Sequence, residues 1–281
     1  MTQPQLAEQT EYGRMYARSV SAHPEVPSIT TVLSCAALDL GGWHGWSAAQ
    51  AVISDDRLAQ AIGSPPRLRD IARQAAGAAD RHRDRSALRG DRVHDYAEQL
   101  ALRAMDREHR VDEARELLAA HGERAYADRF DEWWQLYAPQ PLAAEVTVWN
   151  ASVGYAGTLD LVARIGGRLC LIDYKTKGTD RAGRVKAMDA KVVTQLVAGL
   201  KAEEQLLDAQ AGSWEPWKYG QADLLLGVAV GETEVVAQQA APEVLESHWY
   251  KFCALRKVWA QETRLAAGPA QLRPVPPPPA P

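Results

Sequence analysis

Two apolar runs, GTLDLVARI and RLCLIDYKT, flank the glycine pair Gly166-Gly167, and each carries one aspartate where a buried strand would hold hydrocarbon. Alternation at period two over residues 155–165 and 169–175, with the glycine pair between them, reads as a β-hairpin. Side chains of a strand point to opposite faces in turn. Leu169, Leu171, Asp173 and Lys175 therefore share one face, and Cys170, Ile172 and Tyr174 the other. Isolated charges are costly to bury unless they are paired or hold a metal. Asp160 and Asp173, on adjacent strands, are therefore read as convergent ligands of a divalent cation such as Mg²⁺, which favours carboxylates, carbonyl oxygens and water. Lys175 beside such an ion could orient or deprotonate a water, or stabilise charge on a phosphate.

The surrounding pattern supplies the rest of a domain. Residues 1–26 read as a flexible start, and PSITTVLS, residues 27–34, as a helix start. Residues 67–137, rich in alanine, arginine and glutamate at helical spacing, predict several helices. The clearest spans 92–105, with Val93, Ala97, Leu100, Ala101 and Ala104 in one stripe. EVTVW at 145–149 begins three successive strands. Helical spacing returns over 186–207, residues 222–230 suit a buried strand, a further strand lies near Val235, and a helix covers about 242–262. The expected organisation is a helical region at 27–138, a core at 139–265 and a Pro-rich, disordered tail at 266–281.

The chain has 281 residues, 46% hydrophobic and 24% charged, with a formal net charge of −4. That balance argues against coating nucleic acid by bulk charge, although residues 81–92 hold five arginines against two aspartates and residues 175–191 are also basic. No apolar run approaches a membrane span and the start lacks a secretory apolar core, so a cytoplasmic protein without membrane association is expected. Cys35, Cys170 and Cys253 are too dispersed for a disulfide framework or a four-thiolate site, so no iron–sulfur cluster is expected.

The pattern Gly157-x-x-Asp160, then IDYKTK from Ile172 to Lys177, then Gln195-Leu196 on a helix, resembles the PD-(D/E)xK nuclease superfamily, in particular its RecB-like exonuclease branch. So does the order helix, three strands, helix, strand over about 90–230. The resemblance implies an α/β fold of mixed α+β character, with a central mixed sheet flanked by helices and an N-terminal helical region. GDRVHDYAE matches the family's G-x-x-x-H-x-x-x-E helix at Gly90, His94 and Glu98, which makes His94 a further metal ligand by resemblance. The expected activity is a metal-dependent deoxyribonuclease with Mg²⁺ or Mn²⁺ held by Asp160, Asp173, His94 and the carbonyl of Tyr174. Lys175 assists, and Gln195 positions the lysine or the phosphate.

An exonuclease of recombination or repair, bacterial or phage-encoded, is expected; the alternatives are an endonuclease of the same fold and a non-catalytic DNA-binding module. A homo-oligomer or a recombination partner protein is compatible with this. Gly199 stands where the family often has a tyrosine. Arg81, Arg83, Arg85, Arg89 and Arg92 are candidate phosphate contacts. Trp43, Trp46, Trp133 and Trp134 are weighed between base stacking and core, and Glu145 between an acidic site residue and an exposed strand end.

Overall fold

The computed structural model describes residue 4 and residues 6–36 and 40–276. Residues assigned above to a flexible start instead form a small antiparallel sheet, β1 (Ala7–Thr10), β2 (Gly13–Tyr16) and β3 (Val26–Pro27). Its register turns Tyr16 into the protein, where the hydroxyl meets Thr158 Oγ1 at 2.9 Å. The ordering comes from tertiary burial, which the polar local sequence does not announce.

Helix α1 (Ile29–Ser34) begins at Ser28, whose hydroxyl accepts from the Thr31 N–H at 2.9 Å and caps the first turn. The helical region continues as α2 (Gly41–Ile53), α3 (Leu58–Ala61), α4 (Pro65–Ala76), α5 (Ala78–Ala104), α6 (Val111–Ala120) and α7 (Arg124–Tyr137). Helix α5 is twice as long as its apolar stripe predicts: only its second half packs on the sheet, and its first half carries the exposed arginines.

Next come β4 (Gln140–Asn150), β5 (Tyr155–Ile165), β6 (Arg168–Thr176) and α8 (Lys191–Leu200). The helix expected over 186–207 stops at Leu200, and the chain re-enters the sheet as the hairpin β7 (Glu204–Asp208) and β8 (Ser213–Pro216). Strands β9 (Leu224–Val230) and β10 (Val235–Gln239), a 3₁₀ turn at Pro242–Val244 and α9 (Leu245–Ala266) complete the fold. Of the tail, residues 277–281 lie outside the described residues.

The seven-stranded sheet has the order β10-β9-β6-β5-β4-β7-β8, with β6 and β9 parallel and the other neighbours antiparallel. It is a mixed α/β sheet flanked by helices on both faces. One face buries Leu161, Ile172, Tyr174 and Val228 under α5, α6 and α7; the other buries Val162, Leu171 and Leu225 against α8 and α9. None of the helices among the described residues is long and apolar enough to cross a membrane.

Close approach fixes where α1 and α8 sit. A Cβ at Gly157 of β5 would lie 2.5 Å from Ile29 Cδ1, and one at Gly199 of α8 would lie 2.5 Å from Leu159 Cδ2. The smallest residue is thus what lets both helices rest on β5. Gly178, by contrast, has no neighbour in that position. Gly157→Ala and Gly199→Ala are each expected to lose about 1–3 kcal/mol through overpacking, while Gly178→Ala stays within about 0.5 kcal/mol. Urea denaturation of the three variants checks this contrast.

Candidate metal centre

The centre lies where two strands part. The β5–β6 register pairs Ile165 with Arg168 and continues to Leu161 with Ile172, where it ends, leaving Asp160 and Asp173 at the next step. From there β6 remains paired only with β9. The carboxylate of Asp160 takes over from the missing backbone acceptor: its Oδ2 receives the N–H of Tyr174 at 2.7 Å. A residue in an extended strand presents its N–H and C=O to the same edge, so the Tyr174 carbonyl opens onto the same gap. The Tyr174 ring points the other way, into the core against Phe130 and Trp133.

Strand β4 is distorted at the same level. Ala144 pairs with Leu161 and Val146 with Leu159, which sets Glu145 opposite Asp160. Glu145 has φ of +49°, a left-handed conformation that costs a non-glycine residue about 1–3 kcal/mol. Across the kink the alternation of β5 slips, since Leu159 packs on Gly199 of α8 whereas Leu161 belongs to the core under α5 to α7. Glu145 is consequently in mid-strand and turned inward. Its positive φ left no mark on the pattern EVTVW.

Helix α5 supplies the third group. Ligand atoms of His94, Glu145 and Asp160 all lie within 4.8 Å of one another, with His94 Nδ1 3.6 Å from Asp160 Oδ2. Asp173 stands outside this trio and forms a buried ion pair with Lys175, Nζ to Oδ2 at 2.5 Å. Of the set expected from the sequence, Asp160, Asp173 and His94, the fold brings Asp160 and His94 together. Glu145 joins them, and Asp173 lies on the neighbouring strand beside its lysine.

The electrostatics follow from crowding charges out of water. Burial alone would lower the pKa of His94, but the Asp160 carboxylate raises it to about 9. Asp160 in turn is pulled below its ordinary value, against its own burial, by His94, Lys175 and the Tyr174 N–H. Burial, followed by repulsion from Asp160, drives Glu145 well up. Asp173 is raised to about 6 by burial, with Lys175 opposing. Burial pulls Lys175 down, but Asp173 and Asp160 together hold it above its ordinary value. Two carboxylates and an imidazole held together in this way suit a divalent cation, which would relieve the repulsion that raises Glu145.

These groups line a cavity of about 280 Å³ whose walls come from distant parts of the chain. Gln195 of α8 and Glu98 of α5 reach it. So do Arg14, Tyr16 and Thr30 from the first 30 residues, none of which the sequence reading singled out. The arginines of α5 are largely engaged elsewhere. Arg92 and Arg89 approach Glu123 at 2.6 and 3.6 Å, Arg83 pairs with Asp80 and Asp84, and Arg81 donates to the Gln74 carbonyl. Arg85 lines a separate hollow beside Trp43 and Trp46, which stack on each other and are partly exposed, whereas Trp133 is buried in the core with Trp134 against it.

Fold and centre together define a mixed α/β protein with a half-buried imidazole–carboxylate cluster at a split in its sheet. No family model matches the chain, and no curated protein matches it. Among solved structures, one described as the crystal structure of SSO0001 is similar over 58% of this chain and 76% of its own, at 13% identity and a TM-score of 0.25.

The His94–Asp160 pair gives a pH signature in metal-free buffer. A group whose pKa is raised on folding stabilises fully below its unfolded value, here about 6.5, and loses that contribution as pH rises through about 9. Wild type should exceed His94→Gln in stability by about 1–2 kcal/mol at pH 6.5. This is less than the full linkage of the shift, because the ring keeps 29% of its side-chain surface in water. The advantage should be gone by about pH 10. Urea midpoints of both proteins across this range, in chelator, measure it.

Proposed function

We propose that the protein is a metal-dependent deoxyribonuclease of PD-(D/E)xK type. The observation that carries this reading is the convergence of His94, Glu145 and Asp160 within 4.8 Å at the gap between β5 and β6, with the Asp173–Lys175 pair on the next strand. His94, Glu145 and Asp160 are the groups that would hold Mg²⁺ or Mn²⁺, with Asp173 and the Tyr174 carbonyl at its border. Bound there, the ion would lower the pKa of a coordinated water and offset charge on a phosphate.

The chain's own groups have definable tasks. Lys175, held protonated by Asp173, is suited to orient the attacking water and to stabilise the negative charge that builds on the non-bridging phosphate oxygens. Its raised pKa makes it a poor acceptor for the water's proton. Gln195 lines the same cavity and can donate its amide to a phosphate oxygen. In the overall reaction one oxygen–phosphorus bond forms from water and the ester bond opposite breaks. The water's proton goes to solvent or a neighbouring carboxylate, and the departing oxygen gains one in return.

The cavity lies between α1, α5 and α8, and the N-terminal sheet contributes part of its wall. That enclosure favours a strand entering by its end, and hence an exonuclease, with an endonuclease as the second reading. Purified protein should degrade linear DNA with Mg²⁺ or Mn²⁺ and not with EDTA. Lys175→Ala is expected to slow the reaction about 10²–10³-fold, with Asp160→Asn, Glu145→Gln and Asp173→Asn at least as impaired. Gel assays on linear and closed circular DNA give the readout. Unchanged digestion by Asp160→Asn, or an inert wild type in both metals, would overturn the proposal.

A further inference from the structure

A second cavity, of about 330 Å³, adjoins the first and shares Thr30, Lys175 and Gln195 with it. Beyond these shared residues it is lined by Lys177, just past the end of β6, by Lys191 of α8 and by Ser34 of α1. These six residues come as three pairs close in sequence, with one member of each pair lining both cavities. Lys175 and Lys177 lie two positions apart in the direction of β6, a step of roughly 6.7 Å. Gln195 and Lys191 lie one turn apart on α8, as do Thr30 and Ser34 on α1, each a step of about 6 Å. Each pair therefore has an inner member, bordering both cavities, and one at an outer level, bordering only the second, and the step between them is of the size that separates successive phosphates along a polynucleotide strand.

The charges of the outer level are free to act. Neither Lys177 nor Lys191 has a carboxylate within ion-pair distance among the described residues, in contrast to Lys175 with Asp173. Asp189, which also borders the cavity, directs Oδ1 to the Lys191 backbone N–H at 2.7 Å. Lys177 is itself half-buried and its N–H is tied to the Val230 carbonyl at 2.8 Å, so its stem starts from a fixed point at the strand's end.

We propose that Lys177 and Lys191 form a binding site for the phosphate next to the one at the metal centre, so that the protein grips a polynucleotide at two consecutive phosphates. This rests on the nuclease reading for its ligand and adds a positioning role outside the metal cluster. The two lysines act by fixing the strand's register, which places the reacting phosphorus against the water.

Binding in EDTA separates the two claims, because it needs no turnover. Fluorescence anisotropy of a labelled oligothymidylate, titrated at several salt concentrations, should show the Lys177→Ala/Lys191→Ala protein with a salt-dependence slope smaller by about 0.7, the value for one phosphate on a single strand. The Lys177→Arg/Lys191→Arg protein should recover the slope. In Mg²⁺, the alanine protein should show a KM raised about tenfold or more with a far smaller change in kcat. An unchanged slope in the alanine protein overturns the inference even if digestion is metal-dependent. A loss in kcat with no change in slope or KM overturns it as well. Binding that falls as expected in a protein that never cleaves would uphold the phosphate site and sink the nuclease reading.

Discussion

The centre depends on the hydrogen bond from the Tyr174 N–H to Asp160 Oδ2. Backbone N–H groups in a protein interior must find an acceptor, and in an ordinary hairpin Tyr174 would find one on β5. Here the ladder has ended, and a side-chain carboxylate takes that place. The substitution keeps the strands apart and leaves room for side chains where backbone would otherwise meet backbone. It also pins Asp160 in one orientation, facing His94 on α5 and Glu145 on β4. The energetic cost of the opening is spread over features that would each be unfavourable alone. These are a left-handed backbone at Glu145, a buried carboxylate at Asp173 answered by Lys175, and two acids crowded together. Strain and like-charge crowding of this kind are tolerated where the surroundings over-determine them.

Much of the frame was legible in the sequence for a plain reason. The hairpin around Gly166-Gly167, the apolar run of β9 and the stripe on α5 are local periodicities, and local periodicity is what a chain shows before it folds. The face assignment of β6 was legible too, with Leu169 and Leu171 toward α8 and Ile172 and Tyr174 toward α5 and α7. Asp160, Asp173 and Lys175 stood out because charge in an apolar run is conspicuous. Glu145 did not, since in EVTVW an acid at a strand's start and an acid kinked inward in mid-strand look alike. The N-terminal sheet was hidden for a related reason: its strands are short and largely polar, with no apolar alternation to announce them. Its order comes from Tyr16 meeting Thr158 and from Arg18 lying over Trp149, both contacts that exist only in three dimensions.

The end of α8 shows the same competition between local and long-range preference. Val192, Leu196, Leu200 and Leu207 fit one helical stripe, yet the chain leaves the helix at Leu200, and Gln205 and Glu204 pair with Val148 and Trp149 of β4. The outer end of β4 would otherwise be an exposed edge, and covering it outweighs the seven further residues of helix, 201–207, that the stripe suggests. The shortening also frees Gly199 to rest on Leu159 near the helix end, which holds Gln195 and Lys191 over the sheet.

The small sheet β1–β3 closes one side of the cavity through a bond between residues 142 positions apart, Tyr16 and Thr158. On the ribosome Tyr16 emerges long before its partner exists, so this wall must wait, unassembled, until β5 has been made. A contact of such sequence separation forms late because its loop-closure entropy has to be met first. A nascent chain would present an open, incomplete cleft until synthesis had passed β5.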